Sequence, residues 1–221
     1  ELRCAQAEEL FYLICGPYND VRQHFCFNHR PILRMGLKGV YEQAQRRAET
    51  AAPQQRAFLD AVCEGLLCLK RIAEKFTAAA EYRLIREQDP RIRQNLLRIQ
   101  KSAARTPWEQ PETFYEALNT LAFLRKAVGS LEGVGLNSFG RVDVDLLSFY
   151  RRDVERGILS QEEAYELICQ FLLCFDLHYD HDMKMVLYAD HELENTYVLG
   201  GCDRDGNPVC NDLTHMFLRA T

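Results

Sequence analysis

The chain has 221 residues, 47% hydrophobic and 27% charged, and 32 acidic against 27 basic side chains leave a net charge of −5. That length is ample to bury a core, as one large domain or two small ones, and the composition is that of a globular protein, neither disordered nor fibrous. No run reaches the ~18 apolar residues of a transmembrane helix, no signal-peptide pattern opens the chain, and mild acidity argues against nucleic acid as a partner.

Helical periodicity dominates from the start. Leu2, Leu10 and Leu13 already follow it at an end that begins with Glu1 rather than Met. The clearest stretch is predicted over about 56 to 87, with Phe58, Val62, Leu66, Leu69, Ala73, Phe76 and Ala80 on one face and Arg and Glu on the other. Pro53 stands just before it, where a first-turn proline is tolerated. Asp89-Pro90 predicts a second helix, an N-cap followed by Pro at the first helical position, carrying Ile92, Leu96, Leu97 and Ile99. Thr113 and Glu116 have the spacing of a capping box, and Ser160 and Glu163 repeat it before Ala164, Leu167, Ile168, Phe171 and Leu172. Between these two helices Gly129, Gly133, Gly135 and Gly140 mark a loop.

After Phe175 the pattern changes. Met183 to Tyr188 and Thr196 to Leu199 read as short strands, Gly200-Gly201 follow, Asp203 to Pro208 form a turn, and a last helix starts near Asn211. The composition is continuous, with no repeat or linker. Residues 1–221 are therefore expected to be one segment, mostly helical over 1–175, with strands, a turn and the start of a helix over 176–221. The final pattern (Leu213, Met216, Phe217, Ala220) reaches Thr221 with no Gly or Asn to close it, so a piece of a longer protein is expected.

Metal, nucleotide and hydrolase chemistry find little support. The nine Cys contain no C-x-x-C and are odd in number, so reduced, buried thiols in a reducing cytoplasm are expected rather than a zinc site or a closed disulfide framework. Seven of them, Cys4, Cys15, Cys26, Cys63, Cys68, Cys169 and Cys174, fall in apolar helical patterns, and Cys202 and Cys210 flank a loop. Asp176, His178, Asp180, His181, Asp182, Asp190 and His191 are the densest group of ligand-type residues, but they lack the helical His-x-x-x-His spacing, and a solvated connection is the expected role. Asp203 to Asn207 hints at a calcium loop, yet the twelfth position from Asp203 is Thr214 instead of Glu. Gly200-Gly201 is followed by neither G-x-G-x-x-G nor G-K-[ST], and no G-x-S-x-G occurs.

Three stretches carry a resemblance. Pro111-x-Thr113-Phe114-x-Glu116-Ala117-Leu118 is the first. Gly140-Arg141-x-Asp143 continues through Leu146, Phe149-Tyr150, Asp153, Gly157 and Leu159-Ser160 to Glu162-Glu163-Ala164. Leu199-Gly200-Gly201-x-Asp203-x-Asp205-Gly206 is followed by Asn211-x-Leu213-Thr214. Their order and spacing resemble the pyruvate formate-lyase-like glycyl radical enzymes, and His24 through Asn28 and Leu33 to Gly36-Leu37 adds a looser match. The resemblance covers about residues 20–221.

The resemblance implies a mainly α segment with a few short strands, the helical shell and first strands of a ten-stranded α/β barrel. It implies a parent lyase, dehydratase or formate acyltransferase of anaerobic metabolism. In that parent, an activase using S-adenosylmethionine and an iron–sulfur cluster places a radical on a C-terminal glycine, and the radical passes to a barrel cysteine. The R-V-x-G-[YF] motif of that glycine is missing from this sequence, and the thiyl cysteine of the family belongs beyond the Gly-Gly segment. No catalytic residue, metal ligand or directly bound cofactor is therefore expected here. The implied partners are the rest of the barrel, the C-terminal radical domain, the activase and, for the full-length protein, a second copy, with no nucleic acid and no membrane.

Val144, Asp145 and Ser148 depart from the family's G-R-L-D-Q-Y-L-Y-P-F-Y, which argues against assigning pyruvate. His24 and Ser138 are the candidate substrate contacts, an imidazole to move a proton and a hydroxyl to bind a substrate hydroxyl or carboxylate. Both also suit local structural roles, and Arg141 with Asp143 is expected to be a structural ion pair or cap. A free-standing helical interaction or regulatory domain is the alternative reading.

Overall fold

Capping chemistry and apolar periodicity set out a chain of helices in the computed structural model, which describes residues 25–26, 28–132, 137–176 and 196–221. Helix α1 spans Arg30–Glu49, α2 Pro53–Leu84 and α3 Pro90–Ala103. Helix α4 spans Phe114–Glu132, α5 Val142–Asp145, α6 Leu147–Glu155, α7 Gln161–Asp176 and α8 Asp212–Ala220. Strands β1 (Phe25–Cys26) and β2 (Asn137–Ser138) pair in parallel, Phe25 opposite Asn137 and Cys26 opposite Ser138.

The caps follow local chemistry. Asp89 accepts the amides of Arg91 (2.8 Å) and Ile92 (3.3 Å) at the start of α3. Ser160 and Glu163 exchange both capping-box bonds, at 2.8 and 3.1 Å, and these bonds hold the Glu163 carboxyl below its usual range. At α4 the box is displaced by one residue: Thr113 accepts the Glu116 amide, but the Glu116 carboxylate reaches back to the amide of Glu112 (2.7 Å). Gly129 belongs to α4, so the glycine loop expected there begins later.

The core gathers on the second half of the chain. Phe114, Leu121, Leu146, Tyr150, Ile168 and Phe217 are each at most 2% exposed and belong to one cluster. Helices α2 and α3 contribute little, burying only Ala73, Ala80, Leu96 and Ser102. The stripe expected along α2 divides: Val62, Leu66 and Leu69 are half-buried, whereas Phe58 is 69% and Phe76 50% exposed. On α3 only Leu96 of the four expected apolar residues is buried.

Helix α1 is kinked at Gly36, whose φ of 67° and ψ of 175° are open to glycine alone. The kink lets the Leu37 and Lys38 amides donate to the carbonyls of Pro107 and Trp108, both at 2.9 Å. This docks the helix on the segment ahead of α4.

Candidate functional site

The sequence stretches that carry the resemblance meet at two buried carboxylates. Asp143, on α5, is fully buried, and its Oδ2 accepts the Gly200 amide (2.7 Å) and the Thr214 hydroxyl (2.8 Å). Thr214 in turn accepts the Asn211 amide (3.1 Å), completing the capping box of α8. Asn211 caps the Leu213 and Thr214 amides through Oδ1 and donates through Nδ2 to the Asp143 carbonyl (3.1 Å). Gly140-Arg141-x-Asp143, Leu199-Gly200-Gly201 and Asn211-x-Leu213-Thr214 are thereby one junction. The expected Arg141–Asp143 pair is its weakest contact: Nε stands 4.0 Å from Oδ1, and the guanidinium donates to the Cys202 carbonyl at 3.4 Å.

Asp153, 2% exposed, does the same for the other pair of stretches. Its Oδ2 accepts the Phe114 amide (2.7 Å), one of the unpaired donors in the first turn of α4. Arg152 donates to the Glu112 carbonyl alongside. The charged motif residues thus act as latches between elements far apart in sequence.

Next to the Asp143 junction three short segments run parallel. Ser138 lies between Cys26 of β1 and Thr196 on its other side. Phe139 donates to the Thr196 carbonyl and Val198 to the Gly140 carbonyl, both at 2.8 Å. The strand expected over Thr196 to Leu199 is reduced to this bridge. Ser138 is half-buried; its Oγ accepts the Gly140 amide (3.1 Å), and its hydroxyl proton goes to none of the described residues. Gly140 has a φ of 64°, and a Cβ there would stand 3.1 Å from Cys26 Sγ. His24, the other candidate contact, lies outside the described residues.

A buried histidine borders these strands. His29, 3% exposed at the N-cap of α1, stacks on Phe139 with ring centroids 6.4 Å apart. Burial pushes its imidazole down to about 4, against the opposing pull of Asp145, which also pairs with Arg30 at 2.7 Å. The folded state therefore favours neutral His29. The stability this gives is complete above pH 6.5 and is lost as the pH falls through 6.5 towards 4, because the unfolded chain takes up the proton first. The loss should reach about 3 kcal/mol. Urea unfolding at about pH 7 and about pH 5 should show about 2 kcal/mol of this loss in the native chain and none of it in His29→Asn. Equal acid losses in both would exclude His29 as the source.

The remaining candidates resolve into structure. The Asp203 carboxylate accepts the Asp205 and Asn207 amides (both 2.9 Å) and the Asn207 side chain (3.1 Å), and these bonds hold it below its usual range. It closes a hairpin in which Cys202 pairs with Pro208. Among the described cysteines, Cys26, Cys68, Cys174, Cys202 and Cys210 are exposed and Cys63 and Cys169 half-buried, so the expected burial is not met; Cys26 lies in β1 instead of a helix. Of the Asp/His group, Asp176 ends α7, and the others lie outside the described residues, as does the strand expected at Met183 to Tyr188. Among the described residues no His, Cys, Asp and Glu side chains gather as a metal site, and no helix is long and apolar enough to cross a membrane.

Comparison with known proteins gives a consistent result. The family model described as pyruvate formate lyase-like matches residues 4–221. The chain is 26% identical over 215 residues to isethionate sulfite-lyase of Bilophila wadsworthia (strain 3_1_6), covering 87% of this chain and 25% of the relative. It is 30% identical over 179 residues to trans-4-hydroxy-L-proline dehydratase of Clostridioides difficile, covering 76% of this chain and 22% of the relative. A solved structure concerned with 1,2-propanediol dehydration in Roseburia inulinivorans superposes with a TM-score of 0.77 at 24% identity, over 89% of this chain and 24% of that one. The chain thus spans about a quarter of the length of the relatives it matches. Its fold is a mainly helical portion, with the first short strands, of the barrel found in glycyl radical enzymes.

Proposed function

The chain belongs to the pyruvate formate lyase-like family, and from that premise we propose that it is the helical shell and first-strand segment of a glycyl radical lyase or dehydratase, without turnover of its own. The observation that carries this reading is the Asp143 junction. It gathers the motif residues of α5, the Gly200 loop and α8 beside three parallel segments, an arrangement suited to holding strands at the wall of a larger barrel. The relatives' names describe lyase and dehydratase chemistry on small organic substrates.

The radical, installed on a glycine by an activase using S-adenosylmethionine and an iron–sulfur cluster, would supply hydrogen abstraction from the substrate. No residue of this chain is assigned to carry it. The chain's own contribution is placement. Ser138 offers its hydroxyl proton from the middle of the three segments to a substrate hydroxyl or carboxylate. His24, next in sequence to β1, would move a proton at the same substrate. The partners of this reading are the rest of the barrel, the radical-bearing C-terminal domain, the activase and a second copy, in a reducing cytoplasm.

Anaerobic activation of the full-length protein containing this chain should give a glycine-centred EPR doublet. The 221-residue chain treated in the same way should give neither the doublet nor turnover. A full-length protein that stays EPR-silent after activation, or a reading frame that stops after Thr221, would remove the reading.

A further inference from the structure

The hairpin that follows Gly200 carries two exposed cysteines, Cys202 and Cys210, that the Asp143 junction uses for no side-chain contact. Asp203 donates to the Asn207 carbonyl (2.9 Å) and Val209 to the Gly201 carbonyl (2.8 Å), so Cys202 and Pro208 between them form a non-hydrogen-bonded pair. Val209 is half-buried, whereas Cys202, Pro208 and Cys210 are exposed, and strand alternation puts these three on the outer face. The right-handed twist of a hairpin draws together the diagonal neighbours of such a pair, here Cys202 and Cys210, at a Cα separation of about 7 Å. A disulfide spans up to about 7 Å, and Gly201, where an added Cβ would meet nothing within 4 Å, leaves room for the strand to shift.

Cys210 also meets a base. Asn211 is the N-cap of α8, so Cys210 stands just before the cap and His215 is the fourth helical residue, positions that often carry an apolar staple. Here they carry a thiol and an imidazole, with Sγ 3.6 Å from Nε2 and both residues exposed. A thiol within reach of a base, with a second thiol beside it, is the arrangement of a sulfur that attacks and a sulfur that resolves.

We propose that Cys210 and Cys202 are a peroxide-reactive pair, Cys210 attacking and Cys202 resolving. His215 Nε2 takes the Cys210 proton as the sulfur attacks one oxygen of hydrogen peroxide. The O–O bond breaks, and the leaving hydroxide receives that proton and departs as water. Cys210 is then a sulfenic acid. The Cys202 sulfur attacks the Cys210 sulfur, the S–S bond forms, the S–O bond breaks, and hydroxide leaves with the Cys202 proton as a second water. The two thiols lose two electrons and two protons, and one hydrogen peroxide is reduced to two waters. The bond ties together the two arms of the hairpin beside the Asp143 latch, and a thiol reductant reverses it, as in cytosolic disulfides that sense oxidants. The pair is independent of the radical chemistry.

Peptide mass spectrometry after an equimolar dose of hydrogen peroxide tests the pair. Arg204 lies between the two cysteines, so trypsin releases them on separate peptides that only a disulfide keeps joined. The expected result is a Cys202–Cys210 link within one chain, in the 221-residue chain and in the full-length protein containing it. Cys68, exposed on α2, should stay reduced at that dose. Cys202→Ser should leave a dimedone-reactive sulfenic acid on Cys210, and His215→Gln should slow the oxidation about 10-fold or more. Cys202 and His215 are both exposed, so circular dichroism should show unchanged helix content in these variants. Oxidation of Cys68 as fast as Cys210, links between chains or through other cysteines, or an unchanged rate in His215→Gln would overturn the proposal. A pair that stays reduced in the full-length protein would do the same.

Discussion

Asp143→Ala is expected to destabilise the chain by about 3–5 kcal/mol, read as a lowered urea midpoint with unchanged slope. The carboxylate is fully buried and serves two donors through one oxygen, the Gly200 amide at 2.7 Å and the Thr214 hydroxyl at 2.8 Å. Truncation leaves the buried Thr214 hydroxyl and the half-buried Gly200 amide without this partner, and each costs up to about 1–3 kcal/mol. It also strips the nearest carboxylate from the partly buried Arg141 guanidinium, 4.0 Å away. The damage should be local as well as global, with the Gly200 amide losing hydrogen-exchange protection ahead of the α7 amides. Asp143→Asn retains one acceptor oxygen and should cost about half as much. Equal midpoints for the Ala and Asn variants would show that the latch is not held by the carboxylate.

Gly36→Ala should be at least as damaging, about 4 kcal/mol or more, for two separable reasons. The φ of 67° with ψ of 175° is a conformation closed to side chains with a Cβ. The new Cβ would also stand 2.3 Å from the Trp108 carbonyl oxygen, 2.6 Å from the Glu109 carbonyl carbon and 2.8 Å from the Gln110 nitrogen. These are backbone atoms, so no rotamer change relieves the overlap. The helix would have to move away, losing the Leu37 and Lys38 bonds to Pro107 and Trp108. Gly157→Ala separates the two causes: Gly157 also has a positive φ, 65°, but open space around it, and should cost only about 1–2 kcal/mol. Comparable costs for the two variants would dismiss the close approach as a source of stability.

What was legible beforehand follows the range of the interaction. The caps at Asp89, Ser160 and Asn211 bond to amides two or three residues on, so the residue types alone announce them. The box at Thr113 came out one residue displaced because Glu116, long enough to reach either amide, bonds that of Glu112 and also pairs with Arg105 at 3.4 Å. Asp143 was expected to pair with Arg141, its near neighbour. That pair is present at 4.0 Å, but the closer partners, the Gly200 amide and the Thr214 hydroxyl, lie 57 and 71 residues away, and spacing carries no information about them. Ser138 stands two residues before Gly140 in the sequence, and only the pairing with Cys26 and Thr196 put it in the middle of three segments.

By itself, therefore, the sequence determined the helical class, most helix starts, the turn at Asp203 and the family, because each depends on residues close together in the chain or on their order along it. Only the tertiary structure decided which buried carboxylate holds which loop, that Thr196 to Leu199 contributes one bridge in place of a strand, and which face of α2 is left bare. Those outcomes depend on distant groups competing for one volume and one set of hydrogen bonds, and that competition exists only once the chain has folded.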